Sequence, residues 1–81
     1  GLPKVCINDD AIPLVGKGRN VMHGYILGAD KHLIPGQPCL IVSSSGDLIA
    51  HGTPIATSKE MELFQKGIAI KVREGVLKDS S

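Results

Sequence analysis

Gly16-Lys17-Gly18-Arg19-Asn20 gathers two glycines, two cations and a side-chain amide between the apolar pairs Leu14-Val15 and Val21-Met22. Arg19 offers a planar fork of five donors that suits phosphate, and Lys17 offers a flexible point charge. Glycine carries no β-carbon, so a partner can come close to the peptide groups at Gly16 and Gly18. Exposed N–H groups beside cations make an anion site. The spacing lacks the Gly-x-x-x-x-Gly-Lys-Ser/Thr order of a P-loop, and Val21 stands where a dinucleotide fingerprint needs its third glycine. A plain turn leaving a helix, with solvated charges, explains the same residues and stays open. Lys71 and Arg73 form a second pair of cations, two apart in an alternating run, and so on one face of a strand.

Other chemistry has less support. Cys6 and Cys39 lie in separate apolar stretches, and His23, His32 and His51 do not complete a zinc pattern with them. Both thiols read as buried and free, which fits a reducing compartment. No base is expected beside either one, so neither is an activated nucleophile. No catalytic residue, metal site or cofactor is assigned. The formal net charge is +1, so an argument from charge must rest on placement. Tyr25 and Phe64 are the only aromatics, too few for a base-stacking platform.

The elements that would position these residues follow from pattern. Lys4-Val5-Cys6-Ile7 reads as a strand. Asp10 is the expected cap of a very short helix with Pro13 in its first turn, Ile12, Leu14 and Val15 toward the core, and Gly16 as its stop. Asn20 to Ala29 reads as one longer strand, with His23 packed or at an edge. Asp30 to Gly36 is a loop ending in a Pro-Gly turn. Cys39 to Val42 is a buried strand, Ser43 to Asp47 a hairpin connection, and Leu48 to Ala56 the returning strand. Thr57 and Glu60 have the spacing of a capping box, for a helix that Gly67 stops and whose Met61 and Phe64 plug the core. In the last strand, Ile68, Ile70 and Val72 are expected inward and Lys71 and Arg73 outward. Leu77 to Ser81 reads as a frayed tail.

The whole is one small domain, residues 1–81, mainly β with two short helices. Five or six short strands with short connections suggest a closed or nearly closed barrel. Gly1 in place of methionine suggests a domain excised from, or partnered with, a larger protein. No stretch has membrane-spanning length, and the expected setting is soluble and cytoplasmic.

The chain resembles the PUA domain family, the RNA-binding modules of pseudouridine synthases and archaeosine transglycosylases. Asp10 to Val15 followed by Lys17 to Val21 is similar to the family's first helix and glycine loop. Asp30, Pro35-Gly36 and Leu40 to Val42 are similar to its middle strands, and Leu48 to Ala50 with Gly52 to the next. Glu60-Met61 and Phe64 to Gly75 resemble its closing segment. Among family members, archaeal tRNA-modification proteins look nearest. The resemblance implies a small PUA-like β pseudo-barrel with no active site of its own. It implies RNA, above all tRNA, docked on the glycine loop and the last strand: Gly16, Lys17, Gly18, Arg19, Asn20, Lys71 and Arg73. It also implies a catalytic domain of a tRNA-modification enzyme, in cis or in trans. At Gly24 and Ile34 the family often carries lysine and arginine. A barrel that serves protein interaction or structure alone is the alternative, and both residues favour it.

Overall fold

The structure is a computed structural model, and it describes residues 1–77. Six strands and two short helices follow in order: β1 (Lys4–Ile7), α1 (Ile12–Val15), β2 (Val21–Met22), β3 (Ile26–Ala29), β4 (Cys39–Val42), β5 (Leu48–Pro54), α2 (Ser58–Leu63) and β6 (Ile68–Gly75). The strands form one sheet in the order β2-β6-β5-β4-β1-β3. All neighbours are antiparallel except β1 and β4.

The two ends of this order, β2 and β3, are consecutive in the chain. A single 3-10 turn, His23–Tyr25, joins them. The chain thus brings the sheet round into a nearly closed barrel without a β2–β3 ladder. The expected strand from Asn20 to Ala29 is therefore two strands. Its first half pairs with β6 and its second half with β1. At the break, His23 N–H donates to the Gly67 carbonyl at 2.9 Å, and the Tyr25 carbonyl accepts from Asn8 N–H at 2.9 Å. The backbone changes partner there, so regular extension must stop.

Inside the barrel Val5, Ile7, Val15, Val21, Cys39, Ile41 and Ile70 are fully buried. Each large aliphatic among them contributes roughly 1.5–3 kcal/mol by leaving water. Met61 of α2 is buried beside them and Leu33 anchors the loop after β3. Phe64 is not a core plug: it ends α2 and is 50% exposed, its ring meeting His23 edge-on at 5.4 Å. In β6, Ile70 and Ala69 are buried and Ile68 is exposed, because a bulge against β2 shifts the alternation between Val21–Ile70 and Met22–Ile68.

Local signals set the helix ends. Thr57 and Glu60 form the capping box: Glu60 N–H donates to Thr57 Oγ1 at 3.1 Å, and Thr57 N–H to Glu60 Oε1 at 2.9 Å. Ahead of α1 the cap is Asn8 and not Asp10. Asn8 Oδ1 accepts from Ala11 N–H at 3.1 Å and opens a 3-10 turn over Asp9–Ala11 that runs into the helix. Leu14 points out to solvent, because four helical residues give room for one buried side chain, Val15. The hairpin after β4 is held by Ser43 Oγ, which accepts from Asp47 N–H at 3.1 Å. Pro54 closes β5, two residues short of the expected Ala56.

Both cysteines are free. Burial pushes the Cys39 thiol from 9.0 up to about 11, because a thiolate there would lose its water. No described helix is long and apolar enough to cross a membrane.

Candidate nucleic-acid interface

The loop after α1 is built by a helix-ending motif. Arg19 N–H donates to the Leu14 carbonyl at 3.1 Å, and Gly18 N–H to the Val15 carbonyl at 3.0 Å. This nested pair needs a left-handed residue, and Gly18 supplies it with φ of 103°. The stop is thus Gly18 and not Gly16, whose φ of −62° is helical. Gly16 N–H donates to Ile12 O at 2.8 Å and Lys17 N–H to Leu14 O at 3.2 Å.

This corrects the expected chemistry of the loop. The four N–H groups from Gly16 to Arg19 turn back onto the helix and are spent there. Gly16 is itself buried, out of a partner's reach. An anion would meet side chains: Lys17 and Arg19 are exposed, with Gly18 open between them. A β-carbon at Gly18 would find nothing within 4 Å.

The loop is pinned to β6 at both ends. At one end Gly75 lies against Gly16 so closely that a β-carbon at 75 would overlap the Gly16 carbonyl oxygen. That same oxygen accepts from Leu77 N–H at 2.8 Å. Leu77 is therefore tied down rather than frayed; residues 78–81 of the expected tail lie outside the described residues. At the other end Asn20 Oδ1 accepts from Val72 N–H at 3.1 Å. Val72 stands between Lys71 and Arg73, and Asn20 follows Arg19, so the bond brings the two cation pairs to one edge of the barrel.

A second bulge shapes β6 on its other side. Gly52 pairs with Val72 and His51 with Glu74, which leaves Arg73 without a ladder partner. A β-carbon at Gly52 would come within 2.5 Å of the Lys71 carbonyl, so glycine is what lets the strands close around the bulge. Lys71 and Arg73 are both exposed. Glu74 faces His51 across the sheet at 3.6 Å, with both side chains largely solvated.

Two residues of this site were not assigned from sequence, Gly52 and Gly75. Each is defined by a neighbour more than 15 positions away, and a glycine carries no local mark of that. The expected departures from the resemblance, Gly24 and Ile34, are both exposed. Among the described residues no three His, Cys, Asp or Glu side chains are grouped to hold a metal.

Comparison with known proteins gives this geometry its context. The chain is 39% identical over 75 residues to a tRNA-guanine(15) transglycosylase of Thermococcus onnurineus, and 34% identical over 73 residues to that of Methanocaldococcus jannaschii. These matches take in 93% and 90% of this chain but only 13% and 11% of the relatives. Among solved structures, NSun6 from Pyrococcus horikoshii superposes with a TM-score of 0.91 at 30% identity, over 99% of this chain and 21% of that one. An H/ACA RNP bound to a substrate RNA superposes with a TM-score of 0.89 at 32% identity, over 94% of this chain and 24% of that one. The two sequence relatives are tRNA-guanine(15) transglycosylases, and the greater part of each of the four proteins lies outside the match. The family model described as PUA domain matches residues 3–76, nearly every position of the barrel, and the chain belongs to the PUA domain family.

Proposed function

We propose that this chain is an RNA-binding module that docks a structured RNA, tRNA above all, for an RNA-modification enzyme. The surface is the glycine loop with β6: Lys17, Arg19, Lys71 and Arg73 supply the charge, and Gly18 the open approach between the first two. The observation that carries this is the Asn20–Val72 bond, which joins a loop bearing two cations to a strand bearing two more. Four cations at one edge concentrate positive potential although the net charge is only +1. Such contacts position an RNA by its phosphates and do not read its sequence.

The relatives' names support the partner. They are tRNA-guanine(15) transglycosylases, and one solved neighbour is a ribonucleoprotein holding a substrate RNA. The chain spans about an eighth of the relatives' length, so their chemistry belongs to the remainder and a catalytic domain is the fitting partner in cis or in trans. The module itself supplies affinity and orientation, in the cytoplasm where tRNA is modified.

Titration of total tRNA against the 81-residue chain tests this. Log affinity should fall linearly with log salt, with a slope of about −2 to −4 for three or four neutralised phosphates at 0.7 to 0.9 each. Affinity that is absent at low salt, or flat with salt, returns the chain to the alternative of a protein-interaction barrel.

A further inference from the structure

The β2–β6 ladder is short. It ends at the Val21–Ile70 pair, and β2 has no residue to offer Val72. The next N–H along β6 on that edge is met by a side chain. Asn20 Oδ1 accepts from Val72 N–H at 3.1 Å, across 52 positions of sequence. The donor is a main-chain N–H, so the Asn20 atom facing it must be the oxygen. The side chain thus acts as a strand carbonyl would, and carries the pairing one step beyond β2.

Among the described residues, no other polar group of the loop is hydrogen-bonded to β6 at this end. The N–H groups of residues 16–19 bond into α1, and the Gly16 carbonyl is held at the far end by Leu77. Asn20 is also half-buried, whereas Lys17, Gly18 and Arg19 are exposed. Its oxygen is therefore engaged within the protein.

We infer that Asn20 is a positioning residue, which fixes the glycine loop in register with β6 so that Lys17 and Arg19 engage the same RNA segment as Lys71 and Arg73. This rests on the RNA reading above and gives Asn20 a role beside the contact first expected of it. The effect is on simultaneous engagement. A loop free to swing can still reach a phosphate, but not at the spacing that Lys71 and Arg73 impose.

The test pairs amide exchange with salt-dependent binding of total tRNA, in wild type, Asn20→Ala and Asn20→Asp. Asn20→Ala removes the acceptor, and the Val72 amide should exchange at least about 10-fold faster, while the Ile41 amide in the core keeps its rate. Asn20→Asp keeps an acceptor oxygen and should restore Val72 protection. In binding, Asn20→Ala should weaken tRNA affinity by about 5- to 10-fold and lower the salt slope by about 0.7 to 0.9, as one loop cation drops out of register. Weakened binding at an unchanged slope overturns the inference, because a lost neutral contact behaves that way. So does unchanged Val72 protection in Asn20→Ala. If Asn20→Ala does not fold, a folded Asn20→Asp with an unprotected Val72 amide overturns it, and one with a protected amide supports it. A wild type that binds no tRNA in a salt-dependent way sinks the RNA reading and this role with it, which separates that failure from a variant that binds as wild type does.

Discussion

Gly75 and Gly16 cross with their backbones in contact, and neither has room for a side chain. At Gly16 a β-carbon would lie 2.8 Å from Leu77 Cδ1 and 2.9 Å from the Ile12 carbonyl. At Gly75 it would overlap Gly16 itself. The crossing joins the end of α1 to the end of β6, and so sets where the glycine loop begins. Nothing in either glycine's own neighbourhood of sequence announces the other, 59 positions away.

Gly75→Ala must push the strand off the loop. Overpacking of this kind costs about 1–3 kcal/mol, and the clash here is with backbone, which cannot rotate aside. We expect a lower urea midpoint together with weaker tRNA binding. Gly28→Ala serves as the control, because a β-carbon there meets nothing within 4 Å. Equal stability of the two variants would show that the crossing is looser than described.

Phe64 and Ile70 should reverse the ranking that side-chain size suggests. Ile70 is fully buried, and Ile70→Ala should cost about 2–5 kcal/mol, much of the stability of so small a domain. Phe64 is half-exposed, and Phe64→Ala should cost about 1–2 kcal/mol, mostly the edge-on contact with His23. Thermal melts of the two variants decide this. A Phe64→Ala loss as large as that of Ile70→Ala would place the ring inside the barrel.

These two residues also mark how far the sequence speaks. Some interactions closed within a few residues were legible: the Thr57–Glu60 box, the Pro35-Gly36 turn, and the buried run from Cys39 to Val42; the Asn8 cap and the Gly18 stop, equally local, were not. The barrel class was legible too, from strand count and short connections. Phe64 was misjudged because it follows Met61 by three, as a core position would, but the helix ends there and the ring turns outward. The strand from Asn20 to Ala29 was misjudged because alternation shows that backbone is extended and not which strand it pairs with. Of the site, the exposed cations were legible by type. The roles of Gly16, Gly52 and Asn20 were not, since each depends on a residue of β6.

Cys39 makes stability fall at alkaline pH. Its thiol is raised from 9.0 to about 11 by burial. An unfolded chain gives up this proton near pH 9, while the folded chain keeps it until about 11. Between those values the unfolded state binds fewer protons, so stability declines as pH rises through that window and the contribution is intact below it. Urea midpoints measured from pH 8 to 11 should decline more in wild type than in Cys39→Ala, which has no proton to lose. Parallel curves would mean that the thiol ionises alike in both states. By the same burial, thiol reagents at pH 8 should modify Cys39 only upon unfolding.

The surface itself is tested by three substitutions with different physical causes. Arg19→Ala removes one exposed cation, so it should weaken tRNA binding and lower the salt slope by about 0.7 to 0.9, the share of one phosphate. Gly18→Val removes no charge, so its slope should stay near that of wild type. It should still weaken binding, because the branched side chain would project into open space between Lys17 and Arg19, where the RNA must approach. Gly18 also holds φ at 103°, a conformation that costs a valine roughly 1–2 kcal/mol, so the folded fraction must be measured alongside. Lys31→Ala is the control. Lys31 belongs to the loop whose Gly36 bonds to the Pro54 carbonyl. Asp30, next to Lys31, donates its N–H to the Lys4 carbonyl of β1, and β4 and β5 lie between β1 and β6 in the sheet. At about 4.8 Å per strand spacing, β1 and β6 are roughly 14 Å apart along the sheet. Lys31 is exposed, as Arg19 is, and carries the same charge at a different place on the barrel. If Lys31→Ala weakens tRNA binding as much as Arg19→Ala, the attraction is diffuse and the edge formed by the glycine loop and β6 is not the site.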